Sequence, residues 1–191
     1  MTHTRLFNND ITDNIQMYTK LFMNSVTVSP DSTATVDESR ASKTIIKLCT
    51  VDEVKGKLDL LFLEHYKEIA RNKEIMKLKP NYAMYYATEK VGSLFIQVAV
   101  QRNVFIGYSI NFVSNHLHYA DLKYCQNDVL FIKKEYRGGR VGLKLMKATE
   151  KHAQSLGYKL MTWHCKENTP LNKILPRLNY GVQDIIYSKE I

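Results

Sequence analysis

No stretch of the 191-residue chain approaches the roughly 18 consecutive apolar residues that a membrane-spanning helix needs, and Met1 to Asp10 lacks a basic-then-apolar leader pattern. A soluble, cytoplasmic protein without a membrane partner is the expectation. Cysteine is scarce: Cys49, Cys125 and Cys165 are odd in number and widely spaced, which excludes a disulfide framework and a C-x-x-C metal or redox pair. The phosphate-binding signature G-x-x-x-x-G-K-[ST] and the dinucleotide fingerprint G-x-G-x-x-G are both missing, as are internal repeats and recognisable nucleic-acid motifs. Acid is in deficit as well. Lys and Arg number 27 against 19 Asp and Glu, and the resulting charge of +8 is uneven. Residues 1–42 are net −2 and the remainder is +10, a balance that favours anionic partners such as a phosphorylated cofactor, an acidic surface or nucleic acid. The 45% hydrophobic and 24% charged composition excludes a wholly disordered, collagenous or coiled-coil chain.

The chain divides at about residue 42. Ile11, Ile15, Tyr18, Leu21 and Phe22 recur at helical spacing, and Ser25 to Ser42 is a Ser/Thr-rich stretch with Pro30, Asp31, Asp37 and Glu38. Residues 1–42 therefore read as an extension with a short helix and a linker. Residues 43–191 read as one domain. Thr44 to Cys49 is a β-branched strand, and Thr50-Val51-Asp52-Glu53 is a capping box opening a helix whose Val54, Leu58, Leu61, Phe62, His65 and Ile69 share a face out to about Lys77. After Pro80, Ser93 to Val100 and Val104 to Val113 form a hairpin about Gln101-Arg102-Asn103. Asp128 to Ile132 is a fourth strand, Arg140 to Ser155 a helix stopped by Gly157, and Leu160 to Cys165 a fifth strand. A short helix over Leu171 to Leu178 and a last strand over Val182 to Tyr187 complete an α/β layered sandwich.

Chemistry concentrates between the fourth strand and its helix. Val129 to Ile132 leads into Lys133-Lys134-Glu135-Tyr136-Arg137-Gly138-Gly139-Arg140-Val141-Gly142, with Lys144 and Lys147 following. Glycines allow left-handed backbone angles, and the helix behind them aims unpaired amides and a positive dipole end at the same point. Six cations against one acid make this an anion cradle better matched to a diphosphate than to a carboxylate.

Arg137-Gly138-Gly139-Arg140-Val141-Gly142 resembles the pyrophosphate loop of the GCN5-related N-acetyltransferase (GNAT) family, Arg or Gln, two variable residues, Gly, one variable residue, Gly or Ala. One position departs: Arg140 stands where the family usually has its first glycine. Thr44 to Glu53 looks like the family's opening strand and helix start, and Asn168 to Tyr180 like its closing helix segment, so the resemblance spans roughly residues 43–191. The run Glu135 to Met146 is also similar to members encoded by tailed bacteriophages, which would place the protein in a host cytoplasm.

The resemblance implies a mixed sheet of about six to seven strands flanked by helices and splayed at strand four. It implies acetyl-CoA as cosubstrate, its pyrophosphate on Gly138, Gly139, Arg140, Val141 and Gly142 beside Arg137, and its pantetheine along the backbone of Phe131, Ile132 and Lys133, with Asn168 beside the arm. Asn168 is equally readable as a helix cap. The tyrosine with which many members protonate the departing thiolate is missing, because counting back from Asn179-Tyr180 puts Leu175 in its place. Tyr180 is the substitute carried forward, with Tyr187 or water as alternatives. Asp128 is the candidate base for the acceptor amine. His116, His118, His152, Cys165 and Trp163 read more simply as loop or core residues, and no metal set is convincing.

The leading function is an N-acetyltransferase that passes acetyl from acetyl-CoA to a primary amine by direct attack in a ternary complex. The acceptor, a protein lysine or a small molecule, is open, and so is a homodimer. The alternative is a catalytically silent acetyltransferase-like module acting through protein contacts. A nucleic-acid module is the weakest reading, because much of the charge excess lies on the loop itself.

Overall fold

The computed structural model of the protein describes residues 43–191. The helix and linker expected before them lie outside the described residues. Strand β1 (Ile45–Cys49) runs into the capping box as expected, with Glu53 N–H donating to Thr50 Oγ1 at 3.3 Å and Thr50 N–H donating to Glu53 Oε2 at 2.7 Å. The helix it opens is shorter than its apolar period suggests. It breaks into α1 (Val51–Val54) and α2 (Asp59–Ile69) around Gly56, which takes φ +80°, a left-handed angle that ends an α-helix. Ala70 then turns extended, so α2 stops well before Lys77.

Helix α3 (Tyr82–Lys90) was not expected from the sequence. It contains no fully buried residue, so it carries no strong apolar stripe; its signals are Asn81, which accepts from Met84 N–H at 3.1 Å, and Gly92 at φ +72° beyond its end. Strands β2 (Leu94–Gln101) and β3 (Val104–Asn115) form the expected hairpin, with Arg102 and Asn103 both left-handed at the turn, as a tight two-residue connection requires. Strand β4 (Lys123–Ile132) begins five residues before the expected start, and helix α4 (Val141–Ser155), strand β5 (Leu160–Trp163) and helix α5 (Pro170–Ile174) follow. A 3-10 turn, Leu175–Leu178, continues α5.

The sheet order is β1-β2-β3-β4-β5, antiparallel except for the parallel β4–β5 pair. Five strands among the described residues replace the expected six to seven. The strand expected over Val182 to Tyr187 is absent: Val182, Ile185, Ile186 and Tyr187 are exposed and unpaired, because β-branched composition without a neighbouring strand supplies no ladder.

Helices cover both faces. Val51 and Val54 of α1, Leu58 at the cap of α2, and Leu61 and Phe62 of α2 pack on Ile96, Val98, Tyr108, Ile110 and Phe131, and α4 packs on the opposite face of β2, β3 and β4. Strand β2 is therefore buried along nearly its whole length. Among the described residues, no helix is long and apolar enough to cross a membrane.

Candidate functional site

Strand β4 is irregular where the site lies. Ile110 of β3 pairs with Val129 and Asn111 pairs with Asn127, so Asp128 is an extra residue with no partner on β3. Such a bulge bends the strand and re-aims its side chains. On the other side β5 accompanies β4 only from Tyr124 to Asn127, and the last link is His164 N–H donating to Asn127 O at 3.3 Å. From Asp128 onward the two parallel strands part, as the sequence reading expected of strand four. Lys133 N–H donates to Ile106 O at 2.9 Å, so odd-numbered residues here face β3. The alternation of an antiparallel ladder turns the amides of Leu130 and Ile132 into the gap. Of the three residues expected to line the arm, only Ile132 presents its backbone there; Phe131 and Lys133 face β3.

The cradle closes the same gap. Gly138 takes φ +84°, the one left-handed angle in the loop, whereas Arg140, which departs from the family pattern, sits at φ −94°, ψ 6°, a negative φ that a residue with a side chain can adopt. Arg140 is the N-cap of α4 but makes no side-chain cap, and no acid occupies the first turn. The leading amides of a fifteen-residue helix therefore face outward with their dipole uncompensated. Gly142 packs α4 on β4, where a Cβ would lie 3.9 Å from Ile132 Cγ1.

Arg137 does something the sequence did not reveal. Its Nε donates to Ile132 O at 2.7 Å, and its two terminal nitrogens donate to Glu68 Oε1 and Oε2 at 2.6 and 2.7 Å. That fork ties the loop to α2 and stacks on Phe131, and it holds the Glu68 carboxyl below its ordinary range. Lys133 pairs with Glu64 of the same helix at 3.1 Å. Two of the six cations are thus neutralised by α2. Lys134, Arg140, Lys144 and Lys147 form no ion pair among the described residues.

Asp128 stands on the wall of the gap. Its surface is open to solvent, yet enough protein surrounds it that desolvation raises its carboxyl pKa, opposed by His164 across the splay. Its charge is felt by Tyr85 of α3 and Tyr108 of β3, both of whose hydroxyls are pushed up first by burial. Tyr108 Oη lies 2.8 Å from His65 Nδ1, and His65 stacks on Phe131 with centroids 4.7 Å apart. Burial lowers the His65 pKa to about 4. Of these neighbours, His164, Tyr85, Tyr108 and Glu68 went unread in the sequence, and His65 was read only as one face of a helix. No local spacing singles them out, since they come from four separate elements.

The other candidates lie elsewhere. Tyr180 donates its hydroxyl to Glu150 of α4 and is not among the neighbours of Asp128. Leu175, in the place of the usual tyrosine, is buried. Asn168 is exposed at φ +63° and is not the helix cap; that role belongs to Thr169, which accepts from Asn172 N–H. Asn179 takes φ +64°, an angle Asn tolerates. Tyr187 is exposed. His116 and His118 sit at the β3–β4 turn, at the other end of β4 from the cradle, with His116 packed on Tyr119 and Tyr124. His152 packs edge-on against Phe95.

The sequence pattern of the acetyltransferase (GNAT) family matches residues 62–178. No curated protein matches the chain in sequence. Among solved structures, an aminoglycoside acetyltransferase from an uncultured soil metagenomic sample superposes with a TM-score of 0.62 at 12% identity, over 78% of this chain and 96% of that one. Ribosomal-protein-alanine N-acetyltransferase from Brucella melitensis gives 0.57 at 12% identity over 78% and 97%. Glucosamine-6-phosphate N-acetyltransferase from Arabidopsis thaliana gives 0.58 at 14% over 78% and 98%. At these identities the likeness speaks for the fold, and the family match spans more than half the sequence together with the cradle and the splayed strand. The chain belongs to the acetyltransferase (GNAT) family and is an N-acetyltransferase.

Proposed function

We propose that the protein transfers an acetyl group from acetyl-CoA to a primary amine by direct attack within a ternary complex. The observation that carries this reading is the convergence of three features on one gap: the uncapped α4 N-terminus, the unpaired edge of β4 and the Asp128 carboxyl. The residues fit the cosubstrate. Backbone amides from Gly138 to Gly142 suit a pyrophosphate, Lys134, Arg140 and Lys144 supply charge, and the amides of Leu130 and Ile132 suit the peptide-like pantetheine. When bound, acetyl-CoA supplies an acetyl group activated as a thioester. Arg137 acts by holding the loop against Glu68 rather than by reaching a phosphate. Asn168 stands at the mouth of the β5–α5 connection.

An acceptor amine arrives protonated and cannot attack until it loses a proton. Asp128, with its raised pKa, takes that proton, and His164 opposite it stabilises the carboxylate form beforehand. Tyr85, whose hydroxyl stays protonated, is available as a donor to the acceptor, whereas the buried Tyr108 hydroxyl is engaged with His65 Nδ1. Tyr180 is committed to Glu150, so solvent rather than Tyr180 is the source of the proton returned to the thiolate. The structural neighbours are named for an aminoglycoside, a ribosomal-protein alanine and glucosamine-6-phosphate. A primary amine is the acceptor class this supports.

Thermal unfolding with and without acetyl-CoA tests the reading. Ligand at about a hundred times its Kd stabilises by roughly 2.7 kcal/mol, a rise in Tm of about 5–11 °C for a chain of this size. Gly139→Asp, whose Cβ meets nothing within 4 Å, leaves the unliganded Tm unchanged and removes the rise. An undiminished rise in that variant refutes the cradle.

A further inference from the structure

The buried polar residues form one connected cluster. Gln97, Ser109, Asn111, Asn127 and Thr149 are the buried polar side chains of the described residues, and all five touch on the α4 side of the sheet. Gln97 pairs with Ser109 across β2 and β3, and Asn111 pairs with Asn127 across β3 and β4. Thr149 Oγ1, from α4, lies 2.7 Å from Gln97 Oε1 and 3.3 Å from Ser109 Oγ. Asn127 Nδ2 is the centre: it lies 3.1 Å from Ser109 Oγ, 2.9 Å from Asn111 Oδ1, 3.2 Å from Ile110 O and 3.0 Å from Val129 O. Ile110 and Val129 are the pair immediately beyond the bulge, so one amide spans the register slip and occupies carbonyls on both strands.

The consequence follows from strand parity. In an unbroken strand Asn127, Val129 and Phe131 would share a face and Asp128 would face α4. In the protein Phe131 faces α2, whereas Asn127 is drawn to the α4 side, and Asp128 instead senses Tyr85 of α3 and Tyr108 of β3. The extra residue is what moves it there. The cluster is not the tightest way to fill this space, since Asn127 Oδ1 is buried without a partner among the described residues. An apolar core would avoid that deficit but would supply no directional bonds across the slip.

We propose that the Gln97–Ser109–Asn111–Asn127–Thr149 cluster is a register lock, and that Asn127 in particular is a positioning residue: it holds the β4 bulge and so aims Asp128 into the acceptor gap. The inference rests on Asp128 being the base. It acts through Asp128 alone, because the cradle lies beyond Ile132.

The experiment compares Asn127→Leu, Asn127→Ser and Thr149→Val with the wild type, each alone and combined with Asp128→Asn. Turnover of a primary-amine acceptor, KM for acetyl-CoA and the titration of the Asp128 carboxyl by carbon-13 NMR are measured. Asn127→Leu is expected to lower kcat at least tenfold with less than twofold change in KM for acetyl-CoA, and to add less than twofold in the Asp128→Asn background. Asp128 then leaves the surroundings of Tyr85, Tyr108 and His164 and titrates nearer an ordinary carboxyl. Thr149→Val, isosteric and outside the strand, is expected to move both readouts in the same direction by about threefold in kcat, which tests the cluster should the Asn127 variants not fold. An unchanged Asp128 titration in any folded variant, or losses that multiply with Asp128→Asn, overturns the lock. Full activity of Asp128→Asn itself overturns the base instead, and the titration still reports whether the lock exists.

Discussion

Acidification should weaken the fold through His65 before it touches most carboxylates. The ring is enclosed between Phe131 and Tyr108, with Nδ1 2.8 Å from the Tyr108 hydroxyl, and its pKa drops from 6.5 to about 4 because burial penalises the charged form. Lys166 and Arg137 add smaller repulsion, while Glu68 opposes them. Between those two values the unfolded chain binds a proton that the native protein refuses, so stability rises with pH across that window and is lost as pH falls from about 6.5 to about 4. A shift of that size corresponds to about 3 kcal/mol at most, solvent access to the ring trimming it. With a urea m-value of about 2 kcal/mol/M, the midpoint would fall by about 1.5 M. The assay is urea unfolding at a series of pH values for the wild type and His65→Gln. Their difference isolates His65 from the titration of Glu68, whose lowered pKa removes stability only at more acidic pH. Parallel curves for the two proteins between pH 6.5 and 4 would refute the argument, and would mean that the imidazole charges in place.

Three further outcomes follow from named contacts. Gly107→Ala puts a Cβ 2.6 Å from Phe131 O and 2.4 Å from Ile132 Cδ1. Overpacking of this kind costs about 1–3 kcal/mol, to be read from chemical denaturation, and an unchanged midpoint contradicts the close β3–β4 approach. Arg137→Ala removes the fork to Glu68 and the bond to Ile132 O; charge-assisted bonds of this sort contribute about 1.5–3 kcal/mol, less here because both side chains are part-exposed. Acetyl-CoA affinity should fall with it, and calorimetry showing full affinity would separate the clamp from the cradle. The acid limb of kcat/KM should sit above the ordinary carboxyl range, because only the ionised form of Asp128, whose pKa is raised, accepts a proton, so activity falls as pH drops through that pKa. Asp128→Asn should lower turnover while leaving acetyl-CoA affinity intact, and an unaltered limb in that variant would take the role away from Asp128.

Much of the scaffold was readable from local chemistry. The Thr50–Glu53 capping box, the β2–β3 turn, the glycine stop at Gly157 and the strand–loop–helix cradle all depend on residues within a few positions of one another. The cradle in particular needs only glycine freedom and a helix start, and Arg140 fits the place of a family glycine because the left-handed angle falls on Gly138 instead. Where a local pattern is ambiguous, tertiary context decides. The apolar period from Val54 to Ile69 runs through Gly56 as though no break existed, and α3, with no buried stripe, left little trace beyond its Asn81 cap.

What the sequence by itself determined, then, is where the glycine loop and the helix terminus proposed to hold the cosubstrate lie and which strand leads into them, because neighbouring amides, glycines and caps impose those on the backbone directly. Only the tertiary structure decided how the site is completed. Glu68 meets Arg137 across 69 positions, His164 acts on Asp128 from just beyond β5, and Tyr85 arrives on a helix without an apolar stripe. Likewise the bulge at Asp128 is a mismatch between two strands and does not exist in one strand alone. A register is a relation between distant segments, settled by which side chains can share the interior, and in this protein it is the meeting of Asn127 with Ser109 and Asn111 that settles it.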